Sequence, residues 1–272
     1  MKSVATMTNR RQQELTAAVN AARAAGAAIR EDFGQRHVTS RKGRYDIQLR
    51  ADLVAQRTII RFLTHQFPDY SVVSEEGIQD TWDRSRMTWV VDPLDGTNNF
   101  GYGIAHCAVA ITLFDDEIPV LSVIFDPIVD REFTALASSS EEVINRAPTA
   151  VGHATVALVT DYSEEGRVTG RLLENALSRN CKRVTTMWAP ALDLALVSAG
   201  ALDAMVSRNA ALLDVCAGIL LVQSTGGCVL NATGQPLRLE KSLYRDGVSF
   251  VAAGTEKLAR ELLDLAFSVP GW

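Results

Sequence analysis

The chain has 272 residues, 47% of them hydrophobic and 22% charged, with 27 Lys and Arg against 32 Asp and Glu for a net charge of -5. That composition excludes wholesale disorder and argues against a dedicated nucleic-acid binder, whose affinity comes from Lys and Arg on phosphates. It leaves room for a small anionic substrate, because a bound metal inverts the local field.

Leu15, Val19, Ala22, Gly26, Ile29 and Phe33 recur in steps of four and three, which predicts a first helix with one apolar face. Arg10, Arg11 and Glu14 stand where a signal peptide needs an apolar stretch, so a cytoplasmic protein is expected. Residues 34–50 read as a polar loop. A second helix is expected over 52–67, with Ile60, Leu63 and Phe67 inward, Asp52 at its N-cap or first turn, and Pro68 ending it. Strands follow at 71–74, 88–91, 108–114, 120–125 and 132–136, with Asp115-Asp116 as a turn between two of them. This half reads as α+β.

Ser138-Ser139-Ser140 and Pro148 break the pattern, and two regions are expected, 1–146 and 147–272. The second alternates β and α: a strand at 156–159, helices near 164–178, 191–199 and 214–224, then a strand at 248–252 and a helix over 255–267. The fold class is therefore α/β, with an α+β N-terminal half. The apolar run 212–222 is too short to span a membrane and contains Asp214. Cys107, Cys181, Cys216 and Cys228 show no metal-ligand spacing and read as buried free thiols. His37, His65, His106 and His153 are equally scattered, so no zinc site is expected.

The chemistry concentrates in Trp89-Val90-Val91-Asp92-Pro93-Leu94-Asp95-Gly96-Thr97-Asn98-Asn99-Phe100. An apolar strand runs into two carboxylates, and Pro93 is expected to stop the ladder there, leaving Asp92 and Asp95 in a tight turn. Gly96 allows close backbone approach, and a helical turn starting at Gly96 or Thr97 would offer free N–H groups to an anion. Carboxylates beside an anion site conflict unless a divalent cation lies between them. Taken alone, the segment reads equally well as a surface turn. Ser74-Glu75-Glu76-Gly77 adds acids at another strand end. Asp214 opens an amphipathic helix with Leu213, Ala217, Leu220 and Leu221 inward, capped by Gly226-Gly227.

These segments together resemble the inositol monophosphatase family of magnesium-dependent phosphatases. Asp92 to Phe100 is similar to its Asp-Pro-hydrophobic-Asp-Gly-Thr signature, Ser74-Glu75-Glu76 to its Gly-Glu-Glu element, and Leu213-Asp214-Val215-Cys216-Ala217-Gly218 to its second signature. Lys42-Gly43-Arg44-Tyr45-Asp46, running on to Asp52, is similar to its Lys…Asp…Thr…Asp loop. The resemblance implies a layered α/β/α/β/α sandwich, commonly a homodimer, acting on a small phosphorylated metabolite. It implies magnesium held by Glu75, Asp92, the Leu94 carbonyl, Asp95 and Asp214. Asp52 and Thr97 would orient the attacking water, with Glu75 among the catalytic carboxylates. Gly96 and Thr97 would hold phosphate, and Asp95, Pro190, Ser207 and Asp214 would line the substrate.

The departures lie in the second half. Leu213 replaces the Trp before the second-signature Asp, Ser207 replaces the acid that contacts inositol hydroxyls in animal enzymes, and Trp188-Ala189-Pro190-Ala191 replaces a Gly-Ser/Thr-Ala-Ala stretch that lines the pocket. The Asn-Gly hairpin after the central strands is reduced to residues 141–146. A sugar, cyclitol or nucleotide phosphate is the expected substrate, with a 3′(2′),5′-bisphosphate nucleotidase or a histidinol-phosphatase as alternatives in the same superfamily. A haloacid-dehalogenase-type phosphatase would need Asp-x-Asp, and two residues separate Asp92 from Asp95. A non-catalytic phosphate-binding protein is the remaining alternative, and it requires loss of a catalytic group.

Overall fold

The computed structural model describes residues 4–41, 43–44, 47–75, 87–137, 149–240, 243 and 247–272. Lys42, Tyr45, Asp46, Glu76-Gly77, Ser138-Ser139-Ser140, residues 141–146, Pro148 and the expected 146/147 boundary lie outside them. Two compact units divide the chain, Met1–Ser139 and Ser140–Trp272, and both mix α and β.

The first unit opens with α1 (Val4–Ile29). A 3-10 turn, Arg30–Asp32, closes it, so Phe33 falls just beyond the helix and packs edge-on against Phe100, ring centroids 5.5 Å apart. The stretch expected as a loop contains a hairpin, β1 (Val38–Arg41) antiparallel to β2 (Ile47–Leu49). Every residue of β1 is exposed, so no apolar alternation marked it. Next comes α2 (Arg50–Gln66), which buries Ala51, Ala55, Ile59 and Leu63 at helical spacing; Ile59, not Ile60, points fully inward.

The sheet of this unit runs β3-β4-β5-β6-β7, comprising β3 (Ser71–Ser74), β4 (Thr88–Asp95), β5 (Ala108–Asp115), β6 (Ile118–Asp126) and β7 (Arg131–Leu136). The β3–β4 pair is parallel and the rest are antiparallel. Asp116 takes φ +57° in the β5–β6 turn, where the Asp pair was expected. The helices α1 and α2 pack on each other and on alternate residues of the sheet, Trp89, Val91, Val109, Ile111, Leu121 and Val123 among them. At Gly26 a Cβ would stand 2.6 Å from the Phe125 ring, so the missing side chain lets α1 lie directly on β6.

Glu14 on α1 is fully buried. Arg10 and Arg11 donate to it, and so does the Tyr70 hydroxyl, which itself accepts from Arg10. Burial, with the Glu14 hydrogen bond adding, pushes the Tyr70 phenol from 10.0 up to about 12. Tyr70→Phe is expected to cost about 1–3 kcal/mol, because a buried carboxylate loses a donor. Urea unfolding at neutral pH measures it. A raised phenol pKa favours the protonated folded state, so this contribution is complete below pH 10.0 and is lost as pH rises to about 12. The difference between wild type and variant should shrink over that window.

The second unit runs β8 (Thr155–Thr160), α4 (Glu164–Asn180), β9 (Arg183–Thr185), α5 (Pro190–Ser198), β10 (Ala204–Ala210), α6 (Leu212–Ser224), β11 (Cys228–Asn231), β12 (Val248–Ala253) and α7 (Glu256–Phe267). Its sheet has the order β11-β12-β10-β8-β9, with β10, β8 and β9 mutually parallel. Ser163 caps α4 through the Gly166 N–H at 2.9 Å, and Thr255 caps α7. Both helices share a core with Val156, Leu158, Val206 and Val251. The α5 and α6 helices pack on each other and against β10, β11 and β12. The amphipathic expectation for α6 is corrected: over 212–222 every residue but Asp214 is buried. Gly226, at φ +81°, donates to Gln223 and Gly227 donates to Val222, which closes α6 with a Schellman cap.

All four cysteines are free; Cys107 and Cys216 are buried, while Cys181 and Cys228 are only partly so. Among the described residues, no helix is long and apolar enough to cross a membrane.

Candidate functional site

Pro93 does not end β4. The strand continues to Asp95, and its ladder with β5 shifts register between Asp92 and Asp95. Asp92 lies opposite Ala110 and Asp95 opposite Ala108, so three steps on β4 match two on β5, which is a bulge of one extra residue. In a regular strand, residues three apart face opposite sides. Ala110 and Ala108 share a side, and the bulge therefore returns Asp92 and Asp95 to a common side. They are 2% and 4% exposed. The Leu94 N–H donates to Asp92 Oδ1 at 3.1 Å, which tightens the turn around Pro93.

Gly96 follows at φ +76°, a left-handed conformation that glycine adopts without a steric cost, and it stands at the N-cap of α3 (Thr97–Tyr102). The Thr97 hydroxyl lies 2.7 Å from Asp52 Oδ1 and 2.9 Å from the Leu94 carbonyl oxygen. Both are acceptors and the hydroxyl has one proton. The charged carboxylate is the stronger acceptor, so the proton goes to Asp52 and the Leu94 carbonyl keeps its acceptor capacity. Asp52 is fully buried near the start of α2, and its Oδ2 takes the Leu49 N–H at 2.8 Å. The expected helix-start role of Asp52 and its pairing with Thr97 are thus both present, one on each oxygen.

Glu75 follows β3, and its N–H donates to the Val91 carbonyl at 3.2 Å. Ser74 pairs with Val91, so Glu75 and Asp92 sit at the carboxyl ends of adjacent parallel strands. Beneath them, the buried Ser74 hydroxyl donates to Gln56 at 2.6 Å. Gln56 went unnoticed in the sequence, although it stands four residues after Asp52 on one helix face. Cys107 was also missed as a neighbour. Burial pushes its thiol up, and the charges of Asp126 and Asp95 push it further, so it stays protonated.

The other expected site residues belong to the second unit. Asp214 is partly exposed in the first turn of α6, and Pro190 is buried at the first position of α5. Ser207 is fully buried in β10, with no hydrogen-bond partner for its hydroxyl among the described residues. Beside it Arg208 donates to Asp161 at 3.0 Å, Glu165 at 2.8 Å and the Gly271 carbonyl at 2.7 Å. Burial alone would raise the Asp161 carboxyl; hydrogen bonds from Ser163 and Asn209, with the Arg208 charge, outweigh it and hold the group below its usual range. Trp188 takes φ +52°, which for a bulky side chain costs about 1–3 kcal/mol.

A hard divalent cation fits the donors at the end of β4. Asp92, Asp95 and the Leu94 carbonyl offer oxygen only, and the carbonyl competes with Asp52 for the single Thr97 proton. Among the described residues no group of three or more His, Cys, Asp or Glu side chains is gathered so as to hold a metal ion, so the donors that the bulge brings together are two carboxylates and one carbonyl.

The model of the inositol monophosphatase family matches residues 11–266. An inositol-1-monophosphatase of Rhizobium meliloti is 31% identical over 259 residues, which is 92% of this chain and 95% of its own. The Nus factor SuhB of Xylella fastidiosa is 34% identical over 226 residues, 79% of this chain and 81% of its own. Among solved structures, the extragenic suppressor protein suhB of Bartonella henselae superposes with a TM-score of 0.81 at 29% identity, over 92% of this chain and 97% of that one.

Proposed function

The chain belongs to the inositol monophosphatase family, and on that premise we propose that it is a magnesium-dependent phosphomonoesterase of a small phosphorylated metabolite. The observation that carries this reading is the Asp52–Thr97 hydrogen bond at 2.7 Å, set against the bulge that turns Asp92 and Asp95 to one side. Glu75, Asp92, the Leu94 carbonyl, Asp95 and, from the second unit, Asp214 would hold the metal. Magnesium, when bound, supplies positive charge that acidifies water and balances the phosphoryl oxygens.

The protein groups do the orienting. With its proton given to Asp52, the Thr97 oxygen presents lone pairs that accept from the attacking water. Asp52 is fixed by the Leu49 N–H, so it aims the Thr97 hydroxyl; the proton that the attacking water gives up passes to the Thr97 oxygen as the Thr97 proton passes to the Asp52 carboxylate. The N–H groups of Gly96 and Thr97 at the start of α3 would hold the phosphate of the ester, and Asp95, Pro190, Ser207 and Asp214 are the residues proposed for contact with the substrate. The same premise carries the expectation of a homodimer in the cytoplasm.

Phosphate release with magnesium, measured across inositol, sugar, nucleotide and histidinol phosphates, tests the reading. Release from at least one ester is expected. A substrate-facing acid is a strong discriminator of hydroxyl patterns, and Ser207 cannot act as one. The kcat/KM for myo-inositol 1-phosphate should therefore fall below that of the best sugar or nucleotide ester. No release from any ester would end the phosphatase reading, and a clear preference for inositol 1-phosphate would end only the account of the pocket.

A further inference from the structure

In the first unit β3 is an edge strand, with β4 as its one neighbour in the sheet among the described residues. A single ladder therefore fixes it. Its last paired residue, Ser74, stands opposite Val91, and Val91 belongs to the core under α1 and α2. Ser74 is tied to the same helices, because its hydroxyl donates to Gln56 of α2 at 2.6 Å. Immediately after it, the Glu75 N–H makes one further bond, 3.2 Å long, to the Val91 carbonyl.

Two residues of α2 thus reach the end of the sheet. Asp52 and Gln56 are four apart, about one helical turn, and both are buried. Asp52 binds Thr97 at the start of α3, and Gln56 binds Ser74 at the end of β3. The acids of the site differ in how they are placed. Asp52, Asp92 and Asp95 are buried, whereas Glu75 is exposed and follows the edge strand. An exposed carboxylate keeps its rotamer freedom, so its availability to an ion depends on where its backbone stands. An amide suits the position of Gln56, since it accepts from Ser74 without adding negative charge one turn from Asp52. In the resembling Gly-Glu-Glu element glycine stands in place of Ser74 and has no hydroxyl to give, so the tie is this chain's own.

We infer that Gln56 is a positioning residue: through the Ser74 hydroxyl it holds the end of β3, and with it the backbone of Glu75, so that the Glu75 carboxylate is available to the metal. This inference rests on the metal assignment proposed above and adds to it a residue that touches neither ion nor substrate. One helix then sets both the acid that aims Thr97 and the acid that meets the ion. Groups that orient a metal ligand from behind carry about ten- to hundred-fold of metal affinity.

The test uses the full chain and two magnesium titrations of each variant, one read by melting temperature and one by phosphate release from the best ester. Ser74→Ala and Gln56→Leu each remove one end of the bond. Each should move both curves to about ten-fold higher magnesium, with turnover at saturating magnesium within about three-fold of wild type. The double variant should move them no further than the larger single change, because the same bond is lost. Tyr70→Phe is the control. It breaks a buried hydrogen bond elsewhere in the same unit, and should lower the melting temperature without moving either magnesium curve. Curves of both single variants that coincide with wild type overturn the positioning role. So does a double variant in which the two shifts multiply, or a Tyr70→Phe shift as large as theirs. If one single variant does not fold, the other decides alone. A wild type whose melting and phosphate release both ignore magnesium overturns the metal assignment, and the role of Gln56 falls with it; a wild type that responds while both variants match it overturns the role of Gln56 alone.

Discussion

Asp92→Asn is expected to lower turnover by about three orders of magnitude while the protein stays folded. The amide is nearly isosteric, and its oxygen still accepts the Leu94 N–H, so the turn around Pro93 survives. What is lost is one of two buried negative charges on the same side of β4. Without metal those charges repel, so the variant should melt no lower than the wild type in magnesium-free buffer. Added magnesium should then stabilise the wild type more than the variant. Thr97→Ala removes no proposed ligand side chain, and its loss is expected to be smaller, about ten- to hundred-fold, at nearly unchanged magnesium dependence. Near-normal turnover in Asp92→Asn would show that Asp92 is not a ligand. A Thr97→Ala loss as deep as that of Asp92→Asn, accompanied by weakened magnesium binding, would show that the hydroxyl supports the metal rather than the water.

Withdrawal of the metal is the second large effect. Excess chelator should abolish phosphate release from the best ester, and magnesium in excess of the chelator should restore it. On the proposed assignment the ion is held at the turn after β4, which the unfolded chain lacks. Magnesium at a hundred times its Kd is therefore expected to add about 2.7 kcal/mol to stability, read as a rise in melting temperature across a magnesium titration. Undiminished activity in chelator, with a melting temperature indifferent to magnesium, would remove the basis for every role given to Glu75, Asp92, Asp95 and Asp214.

The strands of the first sheet were legible because β4, β5 and β6 are long apolar runs bounded by turn residues, Asp115-Asp116 among them, whereas in the second sheet only β8 and β12 were placed and β9, β10 and β11 were not. The β1–β2 hairpin was not, since β1 exposes every residue and so shows no periodicity. Glu14 misled in another way. It entered the sequence reading only as a charge that argues against a signal peptide, yet it is fully buried, because its partners include Tyr70, 56 residues away, and no local pattern encodes such a distance. The candidate site divides similarly. The spacing of Asp92, Asp95 and Thr97 was visible as a motif, but the bond from Thr97 to Asp52 spans 45 residues and came into view through family resemblance alone. Trp188 was noted only as a departure from that resemblance. Its left-handed backbone could not have been read from its identity, since a tryptophan is among the residues least suited to it.

The bulge in β4 makes the motif a matter of chain length as much as of composition. Substituting Pro93 would leave the count of residues intact, and with it the common side shared by the two carboxylates. Deleting Pro93 would heal the ladder, because two steps on β4 would then match two on β5 from Ala110 to Ala108. The healed strand would leave two acids separated by a single residue, and such acids share a side with no irregularity at all. A one-residue deletion would thus convert this spacing into that of the Asp-x-Asp phosphatases, but without the turn that seats Leu94 and Thr97. In this strand the two spacings therefore correspond to two different geometries, and deletion of Pro93 alone would pass directly from one to the other.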